Sequence, residues 1–452
     1  MPSPNRRSAT AAEPDKGGLL IRSEAARLLG AVLFKQQPLD DLLNESLERR
    51  AASLNGRDRA LLRAIVATAL RRKGQIDALV DRFLTRGRPK HYDLLQPLLL
   101  VAAAQLLFMR VAHHAAIDTA VTLIGQSRPI NHLKGLANAV LRRMSREGPA
   151  LLASQDDARL NTPDWLWNRW LGHYGEAETR AIAEAHIQEP PLDLTPRDGD
   201  AASLADRLGG TALPTGTVRL TEHHGRVEAL EGYAAGEWWV QDAAAALPAR
   251  LLGDVGGKRV IDLCAAPGGK TLQLAAAGAH VTAVDLSEPR LARVRDNLAR
   301  TGLAAEVVCA DATAFSTEQP ADAVLLDAPC SATGTIRRHP DIPYTKTAEQ
   351  LTALSALQDR LLRQAVALTK PGGIIVYCTC SLEPEEGEAR VEAALDEGLP
   401  VERLPIQPEE IGGLARAITP AGDLRTLPSI MLDEERGIRG LDGFYACRLV
   451  RH

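Results

Sequence analysis

The sequence predicts a multidomain protein: an all-α front, a small α/β module, and a C-terminal Rossmann-like α/β domain with a doubly wound parallel sheet. Two periodicities carry this prediction. From about residue 19 to 144, apolar residues recur at three- and four-residue steps, as in amphipathic helices. From Lys258 onward, short buried strands such as KRVIDLCAA and HVTAVDL alternate with helical segments. This alternation is typical of βαβ units.

Changes in composition along the chain divide it into four predicted parts. Residues 1–17 are rich in Ser, Pro and Ala, and we expect a disordered tail. Residues 18–150 form the helical domain. Residues 151–256 contain linker helices and the small α/β module, and residues 257–452 form the Rossmann-like domain.

Composition excludes several classes of protein. The chain has 452 residues, 45% hydrophobic and 24% charged, so it can bury a sizeable core. Its longest apolar stretch, LLQPLLLVAAAQLLFM, is too short for a membrane span and predicts a buried helix. The N-terminus lacks the apolar segment of a secretory signal. The six cysteines form no CxxC pair, so we expect no disulfide framework and no metal, and a cytoplasmic location without membrane contact.

The net charge of −4 conceals an asymmetry. Residues 1–180 contain 27 Lys and Arg against 18 Asp and Glu, whereas the remainder is acidic. A basic front half permits binding of a polyanion such as nucleic acid.

The segment DLCAAPGGKT, Asp262 to Thr271, predicts a strand, a Gly-rich turn and the start of a helix. Such a turn lets a ligand approach the backbone, but the spacing is neither GxGxxG nor a P-loop, which disfavours nicotinamide and ATP. Asp285 ends the next strand, where a carboxylate suits a ribose diol. Asp311 ends the third strand, where it could bind a purine amino group. A tight turn without a ligand and helix-capping aspartates remain alternatives.

Two further motifs place a cysteine at the end of a predicted strand. They are DAPCSATGTIRRHPD, Asp327 to Asp341, and VYCTCS, Val376 to Ser381. Thiols at the ends of neighbouring strands predict sulfur chemistry, although a buried cysteine is more often a small hydrophobe. Cys378 is expected to point to the opposite face from Cys380 and to serve packing.

Together these motifs resemble the Sun family of S-adenosylmethionine-dependent RNA (cytosine-5) methyltransferases. GLANAVLRRM, TPDWLWNRWLGHYG, WWVQDAAAAL and GLDGFYACRL extend the resemblance over about residues 20–450, with a helical front that is similar to NusB. The resemblance implies S-adenosyl-L-methionine as cofactor. It also implies 16S rRNA as substrate, free or in an early small-subunit particle.

The resemblance implies a role for each catalytic residue. Cys380 would add to C6 of cytosine, which makes C5 nucleophilic, and Cys330 would promote release of the product. Asp327 would hydrogen-bond the cytosine edge, and Lys270 would balance charge or favour a thiolate. The predicted cofactor-binding residues are Cys264, Ala265, Ala266, Pro267, Gly268, Gly269, Lys270, Asp285, Arg290, Asp311 and Asp327.

Basic residues supply the predicted RNA contacts. Arg337 and Arg338 follow the Cys330 turn directly, and others occur in two clusters of the helical front: Arg71, Arg72, Lys73, Arg86, Arg88 and Lys90. Such contacts position an RNA without specifying its sequence. For the helical clusters, an ordinary solvated surface is the alternative.

Other functions remain open at this point. A tRNA cytosine-5 methyltransferase is one, and a non-catalytic RNA-binding ribosome-assembly factor is another, although the latter has no use for the two cysteines. A nicotinamide-dependent enzyme is more distant. We expect a monomer.

Overall fold

The computed structural model describes residues 16–220, 225–433 and 438–452. The predicted disordered tail lies outside them, except for Lys16 and Gly17, which begin the first helix. The chain divides into two compact units, the first ending at Thr162 but also including His339–Thr345. The four domain ranges expected from the sequence remain predictions.

The first unit is helical, and its apolar faces pack into one core. Helix α5 is buried along nearly its whole length, as the sequence predicts for LLQPLLLVAAAQLLFM. The helices of this unit are α1 (Lys16–Lys35), α2 (Leu39–Glu48), α3 (Gly56–Arg71), α4 (Lys73–Phe83), α5 (Tyr92–Leu107), α6 (His113–Gln126), α7 (Lys134–Leu152), α8 (Asp157–Asn161) and, from the later segment, α14 (Ile342–Thr345).

The segment His339–Thr345 is held in this helical unit by specific contacts. Asp341 Oδ2 accepts a hydrogen bond from the backbone N–H of Leu39 at 3.0 Å. The Tyr344 hydroxyl donates to the carbonyl of Leu70 at 3.1 Å, and Lys73 Nζ lies 5.5 Å from the centre of the Tyr344 ring. Residues that follow the Cys330 motif in sequence therefore complete the fold of the front domain.

The second unit contains a small antiparallel sheet and a large mixed sheet. The small sheet has the strand order β2-β3-β1-β4 and the large one β10-β14-β9-β8-β5-β6-β7, with β11 paired to β14. The strands are β1 (Leu192–Pro196), β2 (Thr211–Ala212), β3 (Val218–Leu220), β4 (Trp238–Val240), β5 (Arg259–Leu263), β6 (His280–Asp285), β7 (Glu306–Cys309), β8 (Ala321–Asp327), β9 (Thr369–Thr379), β10 (Val401–Arg403), β11 (Leu424–Thr426), β12 (Met431–Asp433), β13 (Ile438–Arg439) and β14 (Phe444–Arg451). The helices are α9 (Asp164–His186), α10 (Ala201–Leu208), α11 (Leu247–Arg250), α12 (Gly269–Ala276), α13 (Glu288–Thr301), α15 (Ala348–Leu368) and α16 (Glu388–Asp396).

The large sheet confirms the predicted Rossmann-like class, with one difference. Strands β5 to β9 are parallel, as the alternation of strands and helices predicts. Strand β14, however, pairs antiparallel with β9, and β10 and β11 pair antiparallel with β14. The sheet is therefore mixed at one side, because the chain returns after α16 without a further crossover helix.

Candidate active site

The site lies at the point in the large sheet where the order of the strands reverses. Strand β5 lies between β6 and β8. The chain continues from β5 to β6 and β7 on one side, and then crosses to β8 and β9 on the other side of β5. Ligands of open α/β sheets bind outside the carboxyl ends of strands at such a point. The loops after β5, β8 and β9 carry DLCAAPGGKT and the two cysteine motifs. Asp327 at the end of β8 pairs in register with Cys378 of β9.

Residues from β6 and α13 hold the loop after β5 in place through its backbone. Asp285 Oδ2 accepts a hydrogen bond from Ala266 N at 3.1 Å, and its Oδ1 accepts from Ser287 N at 3.0 Å. The Arg290 guanidinium donates to the Ala266 carbonyl and lies 3.6 Å from Asp285 Oδ2. Gly268 has φ +104°, and a Cβ there would come within 3.2 Å of Val294. Glycine is thus required at this turn.

The chemistry of this edge fits the predicted cofactor. S-adenosylmethionine carries a positive charge and presents hydroxyl and amino donors, which carboxylates complement. Asp285 ends β6, and Asp311 is exposed after β7, where it accepts hydrogen bonds from Thr313 N and Oγ1. Asp262 Oδ1 is buried with no hydrogen-bond partner in the protein, while its Oδ2 accepts from Thr271. Asp285 and Asp311 remain the predicted cofactor carboxylates of this edge, while Asp262 lies buried beneath it.

Lys270 and Asp327 form a close ion pair at this edge. Lys270 Nζ lies 2.7 Å from Asp327 Oδ2, and its ammonium lies 5.1 Å from the centre of the Phe444 ring. Burial disfavours the ammonium, but the Asp327 carboxylate outweighs this and raises the pKa of Lys270 above its ordinary value of 10.5. Lys270 is therefore a fixed positive charge.

Cys378 corrects one expectation. Cys378 and Cys380 both pack in the same apolar cluster on one face of the large sheet, so Cys378 does not point away from Cys380. Its Sγ lies 3.5 Å from Asp327 Oδ1, and burial raises its pKa well above 9.0. Cys378 is buried, as expected for packing, but it also contacts the carboxylate of the site.

The structure brings Cys330 and Cys380 together. Their Sγ atoms are 3.4 Å apart, a hydrogen-bond distance between free thiols. Gly334 N donates to the Cys380 carbonyl at 3.0 Å, which ties the two loops together. The hydrogen bond to Cys380, together with burial, raises the pKa of the Cys330 thiol well above 9.0. Cys330 therefore retains its proton in the resting protein.

The buried polar groups next to the two thiols were not predicted from the sequence. Ser331 and Ser381 each follow a site cysteine, and their hydroxyl oxygens are 3.1 Å apart. Glu386 is fully buried and accepts hydrogen bonds from the backbone and side chain of Ser331. A signal was present, because both motifs contain a Cys-Ser pair and the second is followed by PEEGE.

The geometry argues against the RNA contacts predicted for Arg337 and Arg338. Arg337 is buried and donates to Asp442 Oδ1 at 2.7 Å and to Asp242 Oδ2 at 2.5 Å. Arg338 donates to the same two carboxylates. Because buried carboxylates require compensation, these arginines neutralise Asp242 and Asp442 instead of facing a phosphate.

Several basic residues predicted as RNA contacts in the helical unit are engaged within it. Lys73 Nζ lies 2.6 Å from Asp77, and Arg88 makes two 2.9 Å hydrogen bonds with Asp81. Arg72 is 3.5 Å from Asp157 Oδ2. Arg71 is half-buried, whereas Arg86 and Lys90 are exposed.

Comparison with known proteins identifies the family. The model of the 16S rRNA methyltransferase RsmB/F family matches residues 249–449, and the NusB family model matches residues 20–146. Ribosomal RNA small subunit methyltransferase B of Salmonella arizonae is 38% identical over 83% of this chain and 90% of that protein. The Escherichia coli protein of the same name gives the same identity and coverage.

The chain belongs to the ribosomal RNA small subunit methyltransferase B family. Membership confirms the predicted NusB-like front domain and S-adenosylmethionine-dependent methyltransferase domain, and the cofactor is S-adenosyl-L-methionine. Among solved structures, a methyltransferase homologue from Pyrococcus horikoshii is 28% identical and matches with a TM-score of 0.53, covering 63% of this chain and 94% of that one.

The described residues contain no cluster of three or more His, Cys, Asp or Glu arranged to hold a metal ion. None of the helices in the described part is both long and apolar enough to span a membrane.

Proposed function

We propose that this chain methylates C5 of a cytosine in 16S rRNA through a covalent adduct between Cys380 and C6 of the base. The observation that supports this most strongly is the pair of free thiols 3.4 Å apart beside the Lys270–Asp327 ion pair. Cytosine C5 is a weak nucleophile, so methylation there calls for one group that adds to C6 and another that removes the C5 proton. Two thiols on one side of the ring meet both needs.

The first step forms the bond between Cys380 Sγ and C6. The thiolate supplies the electron pair, and negative charge develops on the pyrimidine ring toward N3 and C5. The ammonium of Lys270 and the groups bonded to Asp327 stabilise that charge in a partly buried site. When bound, S-adenosylmethionine would supply an electrophilic methyl group to C5; its S–CH3 bond would break, and it would leave as the neutral thioether S-adenosylhomocysteine. The ring is then saturated at C5 and C6 and carries no charge.

The second step restores the double bond. Once Cys380 is bound to carbon, Cys330 loses its proton to solvent and its thiolate accepts the C5 proton. The electrons of that C–H bond form the C5–C6 double bond, and the C6–S pair returns to Cys380 as thiolate. Cys330 is then a thiol again and Cys380 is released from carbon, with one proton released per methyl group. A thiol of raised pKa gives a strongly basic thiolate, which suits this role.

We place part of the RNA contact on helix α7. Three exposed basic residues of this helix, here called the α7 basic face, are separated by eight and four positions: Lys134, Arg142 and Arg146. Within the described ranges, no carboxylate lies within ion-pair distance of Lys134 or Arg142, while Arg146 is 3.4 Å from Glu147. Cations without a carboxylate partner, here Lys134 and Arg142, are the ones most available to RNA phosphates.

Transfer of a labelled methyl group tests the proposal. The enzyme is incubated with tritiated S-adenosylmethionine and an unmodified 16S rRNA transcript, and the RNA is digested to nucleosides for mass spectrometry. We expect label in 5-methylcytidine. Partly assembled small subunits provide a second substrate, and unmodified tRNA tests the alternative of a tRNA enzyme. Label in another nucleoside, or in tRNA alone, would contradict the proposal.

A further inference from the structure

Glu386 is a buried carboxylate with an unusual set of partners. It ends the short 3-10 turn Pro384–Glu386, and its side chain is fully buried. It accepts hydrogen bonds from Ser331 N at 2.9 and 3.1 Å and from Ser331 Oγ at 2.5 Å. Gln358 Nε2 donates to it at 3.2 Å. Across the described residues, no Lys, Arg or His lies within ion-pair distance of it, so its charge is balanced only by neutral donors.

Two of those donors are the backbone and hydroxyl of Ser331, in the loop that carries Cys330, and the third is Gln358 of α15. Ser331 follows Cys330 directly, so Glu386 fixes the peptide after that cysteine. The Ser331 hydroxyl lies 3.1 Å from that of Ser381, which follows Cys380. Ser381 Oγ in turn accepts from Glu383 N at 3.0 Å. One carboxylate thus anchors both loops through two adjacent serines.

The charges around the thiols are also asymmetric. Glu386 lies on the Cys330 side, bonded to the next residue. The ammonium of Lys270 is paired with Asp327, and that carboxylate, followed by Cys378 and Cys380, raises the pKa of Lys270 against the effect of burial. Asp327 accepts a hydrogen bond from that ammonium, and its other oxygen lies 3.5 Å from Cys378 Sγ. The backbone carbonyl of Glu386 accepts a hydrogen bond from the Tyr377 hydroxyl at 2.7 Å. A thiolate on Cys330 would lie close to a carboxylate that only neutral donors offset, which disfavours that thiolate.

We propose that Glu386 is a positioning residue that holds the two thiols in register and keeps their shared proton on Cys330, so that Cys380 is the sulfur that attacks the base. This deepens the proposed function and rests on it. The negative charge of Glu386 also contributes to the raised pKa of Cys330, after the hydrogen bond to Cys380 and burial. The carboxylate therefore distinguishes two cysteines that stand at equivalent strand ends.

Alkylation of the thiols tests this without RNA or cofactor, so the outcome is independent of the methylation assay. The full chain is treated briefly with iodoacetamide at neutral pH, and modification at Cys330 and Cys380 is quantified by peptide mass spectrometry. We expect the wild type to react mainly at Cys380. Glu386→Gln keeps the shape but removes the charge, and it should raise the Cys330/Cys380 ratio about tenfold, the effect of one pKa unit.

Two further variants separate charge from structure. Glu386→Asp keeps the charge on a shorter side chain, so it should retain the wild-type ratio while kcat for methylation falls. Glu385→Gln, on the same turn but bonded to Arg169, is the matched control and should leave the ratio unchanged. An unchanged ratio in folded Glu386→Gln overturns the proposal. If that variant does not fold, preferential reaction of Glu386→Asp at Cys330 overturns it instead.

Discussion

Cys330 Sγ lies 3.4 Å from Cys380 Sγ although 50 positions separate the two residues in the chain. The sheet explains this proximity, because β8 and β9 are parallel neighbours and each cysteine follows one of them. The two thiols are already within hydrogen-bond distance, so a proton can pass between them without a conformational change. In the Lys270–Asp327 ion pair nearby, Asp327 ends β8 and Lys270 lies in α12, the helix that follows β5.

Loss of the Lys270 ammonium should slow methylation without unfolding the protein. In Lys270→Met, Asp327 loses its 2.7 Å partner, and the charge that develops on the base loses its nearest cation. We expect the single-turnover rate to fall about 100-fold, as when one preorganised electrostatic donor is removed. Lys370→Met, which removes an exposed cation paired with Asp322, is the control and should remain within about twofold. A normal rate in Lys270→Met would show that the ammonium has no part in the reaction.

The stability of the cofactor-free protein should depend on pH through Asp262. Burial raises the pKa of Asp262 to about 7 from an ordinary 3.8, although the Thr271 hydrogen bond opposes the shift. Between about pH 4 and 7 the folded protein holds a proton that the unfolded chain has released, so stability falls as pH rises through this window. Asp262→Asn removes this titration. The free energy of unfolding of this variant, minus that of the wild type, should be larger by about 2 kcal/mol at pH 8 than at pH 5, because only the wild type loses stability over this range.

Urea titrations of both proteins at the two pH values measure this difference. Asp322→Asn, which alters an aspartate bonded to Lys370 near the surface, controls for general charge effects. The same difference at pH 5 and pH 8 would mean that Asp262 is ionised in the folded protein.

The α7 basic face should contribute to RNA affinity. In a double variant with Lys134→Gln and Arg142→Gln, we expect weaker binding of a 16S rRNA transcript. The slope of log affinity against log salt should become shallower by about 2, since each lost phosphate contact accounts for about 1. Filter binding at several salt concentrations provides both quantities.

A matched double variant on another exposed surface is the control for the α7 basic face. Arg57→Gln with Arg63→Gln removes the same charge from helix α3 and should leave the slope nearly unchanged. Equal effects of the two double variants would assign the affinity to overall charge rather than to this face.

Replacement of Arg337 should act on stability rather than on RNA binding. Arg337→Met leaves Asp242 and Asp442 with one arginine between them, and breaking a buried ion pair costs about 3–5 kcal/mol. Urea unfolding measures the loss, with exposed Arg293→Gln as a control expected within about 0.5 kcal/mol. A stable Arg337→Met protein with weakened RNA affinity would restore the original prediction for this residue.

The sequence was sufficient to predict the elements that carry the chemistry. Strands such as VIDLC and AVLLDAP are short apolar runs that end in a polar or sulfur side chain, and the sheet brings such ends together. Asp285, Cys330 and Cys380 were therefore singled out as candidate site residues from the sequence, and their roles stay predictions. The antiparallel strand β14 was not predicted, because nothing local specifies which edge a returning strand joins.

Long-range polar pairing could not be read from the sequence. Arg337 meets Asp242 and Asp442 across 95 and 105 positions, and an arginine cluster beside a catalytic motif looks the same whether it faces RNA or a buried acid. Asp341 meets Leu39 across 302 positions, which no local periodicity encodes. Partners of this kind follow from the completed fold.

Trapping of the protein–RNA adduct tests the central claim most directly. Cys330→Ala and Cys380→Ala are each incubated with S-adenosylmethionine and unmodified 16S rRNA, and the products are separated on a denaturing gel. Without Cys330 the C5 proton is not removed and the thioether persists, so we predict a slow-migrating covalent complex for Cys330→Ala and none for Cys380→Ala. A complex with Cys380→Ala, or none with Cys330→Ala under conditions in which the wild type methylates the RNA, would contradict the assignment of the two thiols.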